Sequence, residues 1–201
     1  YQCASSIWSF NKIREGGGLG IFCHPYWVVP NGNYISGTVI SAMLELQPYD
    51  ALEVIGGYPK QEEDSNTLQV ARYQEERAKG KKTPIVGVSD SHGCENSDLF
   101  GWYYTIAFSP ALEQKEIIGS IKDLYSVAVE AIPGEAVRAY GPFRLVKYAL
   151  YLMREVLPEH DELCAEEGNQ MLRHIDGQTD ATKRLAELKG QTDKLYDKLW
   201  A

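Results

Sequence analysis

Short apolar runs alternate with longer segments of helical periodicity along the first two thirds of the chain. Ser5 to Glu15 predicts a helix stopped by Gly16-Gly17-Gly18, and Leu19 to Cys23 predicts a strand. Tyr26 to Asn33, rich in aromatics, Pro and Gly, predicts a loop. A helix over Ser36 to Leu46, a strand over Ala51 to Ile55, a helix over Gln61 to Lys79 and a strand over Pro84 to Val88 follow. Trp102 to Phe108 is strand-like by β-branched and aromatic content, Pro110 to Ile121 helical, and Tyr125 to Ala131 a further strand. The repeated βα order predicts an α/β fold with a parallel sheet and right-handed crossovers.

From about Tyr140 the pattern becomes helical only. Phe143, Val146, Leu150, Met153 and Leu157 fall at helical spacing, Pro158 interrupts, and Glu159 to Ile175 and Thr179 to Leu199 predict two more helices. The expected organisation is one α/β domain over residues 1–135 and a helical extension over residues 136–201.

The chemistry concentrates where two predicted strands end. Asp90-Ser91-His92 closes the Pro84 to Val88 strand, and alternation points Asp90 and His92 to one side. His24-Pro25 closes the Leu19 to Cys23 strand, with Pro25 biasing His24 toward an extended conformation. Carboxylate and imidazole side chains at the C-terminal ends of parallel strands suit a divalent cation. The plainer alternative for the triplet is a helix cap beside a solvent-facing histidine. Tyr26 and Trp27, directly after His24, either line a substrate pocket or cover the rim of the fold.

Strand-His24-Pro25, then Leu52-Glu53-Val54 with Gly56-Gly57 after it, then Ser89-Asp90-Ser91-His92-Gly93, resembles the second half of the polymerase and histidinol phosphatase (PHP) family. The resemblance spans roughly Gly17 to Phe108, about half the chain. It implies the C-terminal strands of a PHP-type distorted (β/α) barrel and a metal-dependent phosphoesterase. In such an enzyme, water activated by zinc, manganese or iron hydrolyses a small phosphate ester. It further implies that His24, Asp90 and His92 are metal ligands and that Glu53 supports them. The family's opening His-x-His motif has no counterpart, since no His precedes His24. The metal site is therefore expected to be incomplete in this chain, and the chain inactive alone, as a C-terminal part of a longer protein. The alternative is a non-catalytic metal-binding or helical assembly module with a vestigial site.

Composition bounds the rest. Apolar content of 44% and charged content of 24% fit a globular chain. A net charge of -8 argues against a nucleic-acid-binding face. Cys3, Cys23, Cys94 and Cys164 are scattered with no Cys-x-x-Cys, and no apolar run is long enough to span a bilayer. Free thiols and a cytoplasmic, non-membrane location are expected. A small phosphorylated substrate is the expected partner, and self-association through the Leu19 to Cys23 edge or the C-terminal helices is expected as well. Two weaker candidates remain. His160, Cys164 and Glu167 share one helix face, either as zinc ligands or as an ordinary acidic helix start. Arg138, Arg144 and Lys147 either reach a phosphate or pair with surface carboxylates.

Overall fold

A computed structural model describes residues 1–29, 32–33, 35–58, 63–93 and 99–200. The chain divides into two compact units, Tyr1–Val146 and Lys147–Ala201. The first is mixed α/β. Helix α1 (Gln2–Glu15) ends on Gly16 and Gly17, the latter in the left-handed region that ends helices without a Cβ clash. Strand β1 (Ile21–Phe22) follows, then the short hairpin of β2 (Val28–Val29) and β3 (Gly32–Asn33) in what the sequence predicts as a loop. Helix α2 (Gly37–Leu46) is N-capped by the Ser36 hydroxyl, which accepts from the Val39 N–H. It leads into β4 (Ala51–Gly56), and α3 (Glu63–Ala78) leads into β5 (Ile85–Val88).

Strands β1, β4 and β5 form one parallel sheet in that order, with helical crossovers between them. Every residue of β4 is buried, as expected of the central strand of a parallel sheet covered on both faces. Ile40, Met43 and Leu44 of α2 pack with Val54, Ile55 and Ile85 in the main core.

The later strands differ from the all-parallel expectation. Strand β6 (Tyr103–Ala107), helix α4 (Gln114–Lys122), β7 (Ser126–Glu130) and β8 (Arg138–Tyr140) give a separate antiparallel sheet ordered β6-β7-β8. Side-chain hydroxyls tie this sheet to β5. Thr105 Oγ1 accepts from the Gly87 N–H at 3.0 Å and donates to the Gly87 carbonyl at 2.8 Å, and Ser126 Oγ donates to the Ile85 carbonyl at 2.8 Å. Gly87 allows the approach, because a Cβ there would lie 2.6 Å from the Tyr104 carbonyl oxygen.

Helix α5 (Phe143–Glu155) runs across the division between the units. In the second unit α6 (Leu157–Ile175), with Pro158 in its first turn, packs against α7 (Thr179–Leu188) and α8 (Gln191–Trp200). The single helix expected over Thr179 to Leu199 is two, because Gly190 takes a left-handed conformation between them. Ion pairs Arg173–Asp180 and Arg184–Glu166, each at 2.6 Å, join α6 to α7. Among the described residues no helix is long and apolar enough to cross a membrane.

Candidate functional site

The C-terminal ends of β1, β4 and β5 bring together Cys23, His24, Glu53 and Asp90. Because the three strands are parallel, the residues just beyond β1 and β5 and the last turns of β4 emerge at one end of the sheet. His24 and Asp90 both hold left-handed backbone conformations, with φ of 32° and 52°. Of the four non-glycine residues in that region among the described residues, two are thus the strand-end residues singled out by motif, and such strain gathers where function over-determines geometry. The extended conformation that Pro25 predicts for His24 is not adopted. A turn closed by the Trp27 N–H donating to the His24 carbonyl takes its place.

Glu53 is the buried centre of the group, 1% exposed. Burial, with little water to solvate the charge, pushes its carboxyl up to about 7. The backbone N–H of His24 and the nearby Cys23 thiol, which donates to the Ile21 carbonyl at 3.7 Å, favour the charged form and oppose that rise, while the negative charge of Asp90 adds to it. Among the described residues its Oε1 has no hydrogen-bond partner, and neither does the buried Nδ1 of His24. Cys23 is pushed up to about 12, by burial first and by Glu53 next, which keeps the thiol protonated and unreactive at neutral pH.

Two glycines make room for these side chains. A Cβ at Gly56 would lie 2.0 Å from Glu53 Oε1, and one at Gly57 would lie 2.3 Å from Asp90 Cβ. Helix α3 holds the end of β4 from behind with amide side chains. Asn66 accepts from the Gly56 N–H at 2.8 Å and donates to the Gly56 carbonyl at 3.1 Å. Gln69 donates to the Glu53 carbonyl at 3.2 Å and accepts from the Tyr58 hydroxyl at 2.8 Å. Each bond satisfies a buried polar group that would otherwise be left unpaired.

The other sequence candidates are placed as follows. Trp27 packs edge-on against the His24 imidazole with ring centroids 5.6 Å apart, and Tyr26 is half-buried against the main core. His92 lies two residues past Asp90 and is exposed. Among the described residues, no three His, Cys, Asp or Glu side chains surround a common point where an ion would sit. Arg144 is exposed in the first turn of α5. Arg138 pairs instead with Glu130 at 3.0 Å and Glu135 at 3.8 Å, the surface-carboxylate alternative. In the second unit His160 Nε2 is 3.4 Å from Cys164 Sγ and the ring stacks on Tyr196 at 5.9 Å, while Nδ1 is 3.0 Å from Asp161 Oδ1. Cys94 lies outside the described residues, and Cys3, Cys23 and Cys164 are free thiols.

Comparison of the chain with family models, with curated proteins and with solved structures finds no match in any of the three. The strand-end cluster therefore has to be read from its own chemistry.

Asn66, Gln69 and Cys23 belong to this site and were not visible as such in the sequence. A polar Asn-x-x-Gln on a helix gives no hint that it faces inward. Cys23 sits inside an apolar run where thiols ordinarily act as small hydrophobes.

What the arrangement offers is a partial donor set. His24 Nδ1 and Glu53 Oε1 are buried and, among the described residues, unsatisfied, a costly state that a ligand or ion could relieve. The exposed Asp90 is near enough for its charge to act on Glu53.

Proposed function

We propose that this chain carries part of the metal site of a metal-dependent phosphoesterase related to the PHP family, on the C-terminal strands of a distorted barrel. The observation that supports this best is a pair of buried polar atoms, His24 Nδ1 and Glu53 Oε1, that lack a hydrogen-bond partner among the described residues, at the same sheet end as Asp90. In this reading His24, Asp90 and His92 hold a divalent cation, and Glu53 supports them from below. The cation would supply a Lewis acid and an activated water for attack on phosphorus. The protein's own part is to keep the donors in place. Trp27 packs on the His24 ring, the His24 N–H favours the Glu53 carboxylate, and α3 anchors the strand that carries it.

The cage is incomplete in this chain. Only two of its four histidines, His24 and His92, lie in the α/β unit, and a hydrolytic centre needs a full coordination set with an ordered outer layer. The substrate is a small phosphate ester, and cytoplasmic placement with free thiols belongs to the same reading.

Zinc and manganese titrations by calorimetry test the proposal. Weak binding that is lost in His24→Ala and in Asp90→Asn is the expected result, the second variant removing charge while tolerating the left-handed backbone. Turnover of p-nitrophenyl phosphate by this chain should stay at background. Metal-dependent turnover lost in His92→Ala would show the site complete. Absence of any metal affinity would overturn the reading in favour of a non-catalytic module.

A further inference from the structure

A cavity of about 200 Å³ lies at the opposite end of the parallel sheet from His24 and Asp90. It opens between the last turns of α3, the residues entering β5 and the turn that enters β7. Its charged lining is cationic only, with Arg77, Lys81 and Lys82, in a chain whose net charge is -8. Lys81 is already committed, since its Nζ pairs with Glu76 Oε2 at 2.7 Å and donates to the Leu44 carbonyl at 2.7 Å. Arg77 lies over the Tyr73 ring, 5.8 Å from its centroid. Among the described residues no carboxylate pairs with Arg77 or Lys82, although the sequence holds 28 Asp and Glu.

Ile85, Leu124 and Pro142 form an apolar part of the wall, and Tyr73, Thr83 and Ser126 complete it. Leu124 is the informative member. It follows α4 with φ of 68°, and the Tyr125 N–H bonds back to the Ser120 carbonyl at 2.8 Å, the helix-ending geometry that ordinarily selects glycine. A leucine in that conformation is strained, and its side chain goes to the cavity wall. The hydroxyl of Ser126 is used on the Ile85 carbonyl, and that of Thr83 by the Gln47 amide, so an incoming ligand meets Arg77 and Lys82.

We propose that this cavity binds a small organic anion, with a phosphate, phosphonate or carboxylate head on Arg77 and Lys82. A ring-sized apolar body rests on Ile85, Leu124 and Pro142. The size fits such a ligand: an apolar cavity of about 150 Å³ admits benzene, so this one admits one ring and a charged group. A guanidinium suits the fork of a phosphonate or carboxylate. The site is independent of the strand-end metal reading.

Amide-resolved NMR titration of the chain in the presence of EDTA tests it, with phenylphosphonate and benzoate as probes. Saturable shifts are expected at Arg77, Lys82 and Leu124, and the stronger of the two probes identifies the head group. Orthophosphate, lacking the ring, and benzyl alcohol, lacking the charge, should each bind roughly tenfold more weakly, about the worth of one modest interaction. Arg77→Gln with Lys82→Gln, both at exposed positions, should weaken phenylphosphonate by roughly tenfold or more. Leu124→Gly should keep the folded spectrum, because the turn suits glycine, yet lose the preference for phenylphosphonate over orthophosphate. His92→Ala should bind as the unaltered chain does. No saturable shift at these amides, shifts centred on Asp90 and His92, or unchanged binding in the Arg77/Lys82 variant would each overturn the proposal.

Discussion

Glu53 and Gly56 occupy one volume, in the sense that a Cβ on residue 56 would lie 2.0 Å from the Glu53 Oε1 atom and 2.3 Å from its carboxyl carbon. The carboxylate folds back along its own strand into the space a side chain would fill. Gly56→Ala should therefore destabilise the chain by about 2 kcal/mol, in the range of overpacked cores. Most of that loss should vanish when Glu53 is first shortened to Ala. A double-mutant cycle by urea denaturation measures the coupling, and additive effects would mean that the strand end yields elsewhere.

Thr105 replaces a missing strand partner for Gly87 by using one hydroxyl as both donor and acceptor. Thr105→Val keeps the shape and leaves a buried N–H and C=O unsatisfied, at about 1–3 kcal/mol. Thr105→Ser restores the hydroxyl and should recover most of the loss. Equal stabilities for the Val and Ser variants would show that water or a backbone shift satisfies Gly87.

The elements around β1, β4 and β5 were legible because burial on both faces writes continuous apolar runs, and because the glycine stops and the Ser36 cap act locally. The pairing of the last strands was not. Ser126 to Glu130 is fully buried and reads like a parallel core strand, while its antiparallel partners are set by long-range packing. Helix α3 shows the same limit from the other side. Its buried face carries Ser65, Asn66, Gln69 and Glu76, polar residues that hydropathy assigns to solvent. Asn66 and Gln69 turn inward to backbone groups of β4 that need partners, and Glu76 to the cations Arg72, Lys79 and Lys81, which no one-dimensional pattern records. Of the candidate site, motif order pointed to His24, Glu53 and Asp90 at one sheet end, whereas the left-handed turns at His24 and Asp90 came only with the fold.

Asp50 fastens α1 to the entrance of β4, taking Arg14 Nε at 2.8 Å, Lys122 Nζ at 3.1 Å and the Gly20 N–H at 2.9 Å. Burial alone would raise its carboxyl, but Arg14, the Gly20 N–H and Lys122 together hold it below the ordinary 3.8. A depressed folded-state pKa stabilises above the unfolded value and loses that contribution as pH falls through the folded one. Asp50→Asn should then cost about 1–3 kcal/mol at pH 7, and the gap to the unaltered chain should shrink below pH 3.8. Guanidinium denaturation of both proteins at pH 7 and pH 3 reads this directly. A gap that is the same at both values would mean that shape, and not charge, makes the contact.

Asp90 sets stability against chemistry within one residue. Its exposed side chain is held on a left-handed backbone, φ 52°, beside Gly57, whose missing Cβ leaves room for it. Left-handed conformations cost ordinary residues about 1 kcal/mol and aspartate somewhat less, because its short side chain bonds locally. Asp90→Gly removes that strain, and the extra freedom of glycine in the unfolded chain takes part of the gain back. Thermal unfolding in EDTA should thus show a change between zero and about 1 kcal/mol in the stabilising direction. The same variant loses the carboxylate, so zinc or manganese affinity should fall at least tenfold, roughly the lower bound for losing a charged ligand. A clear drop in thermal stability, with metal affinity unchanged, would assign Asp90 to holding the turn and take it out of the cation site.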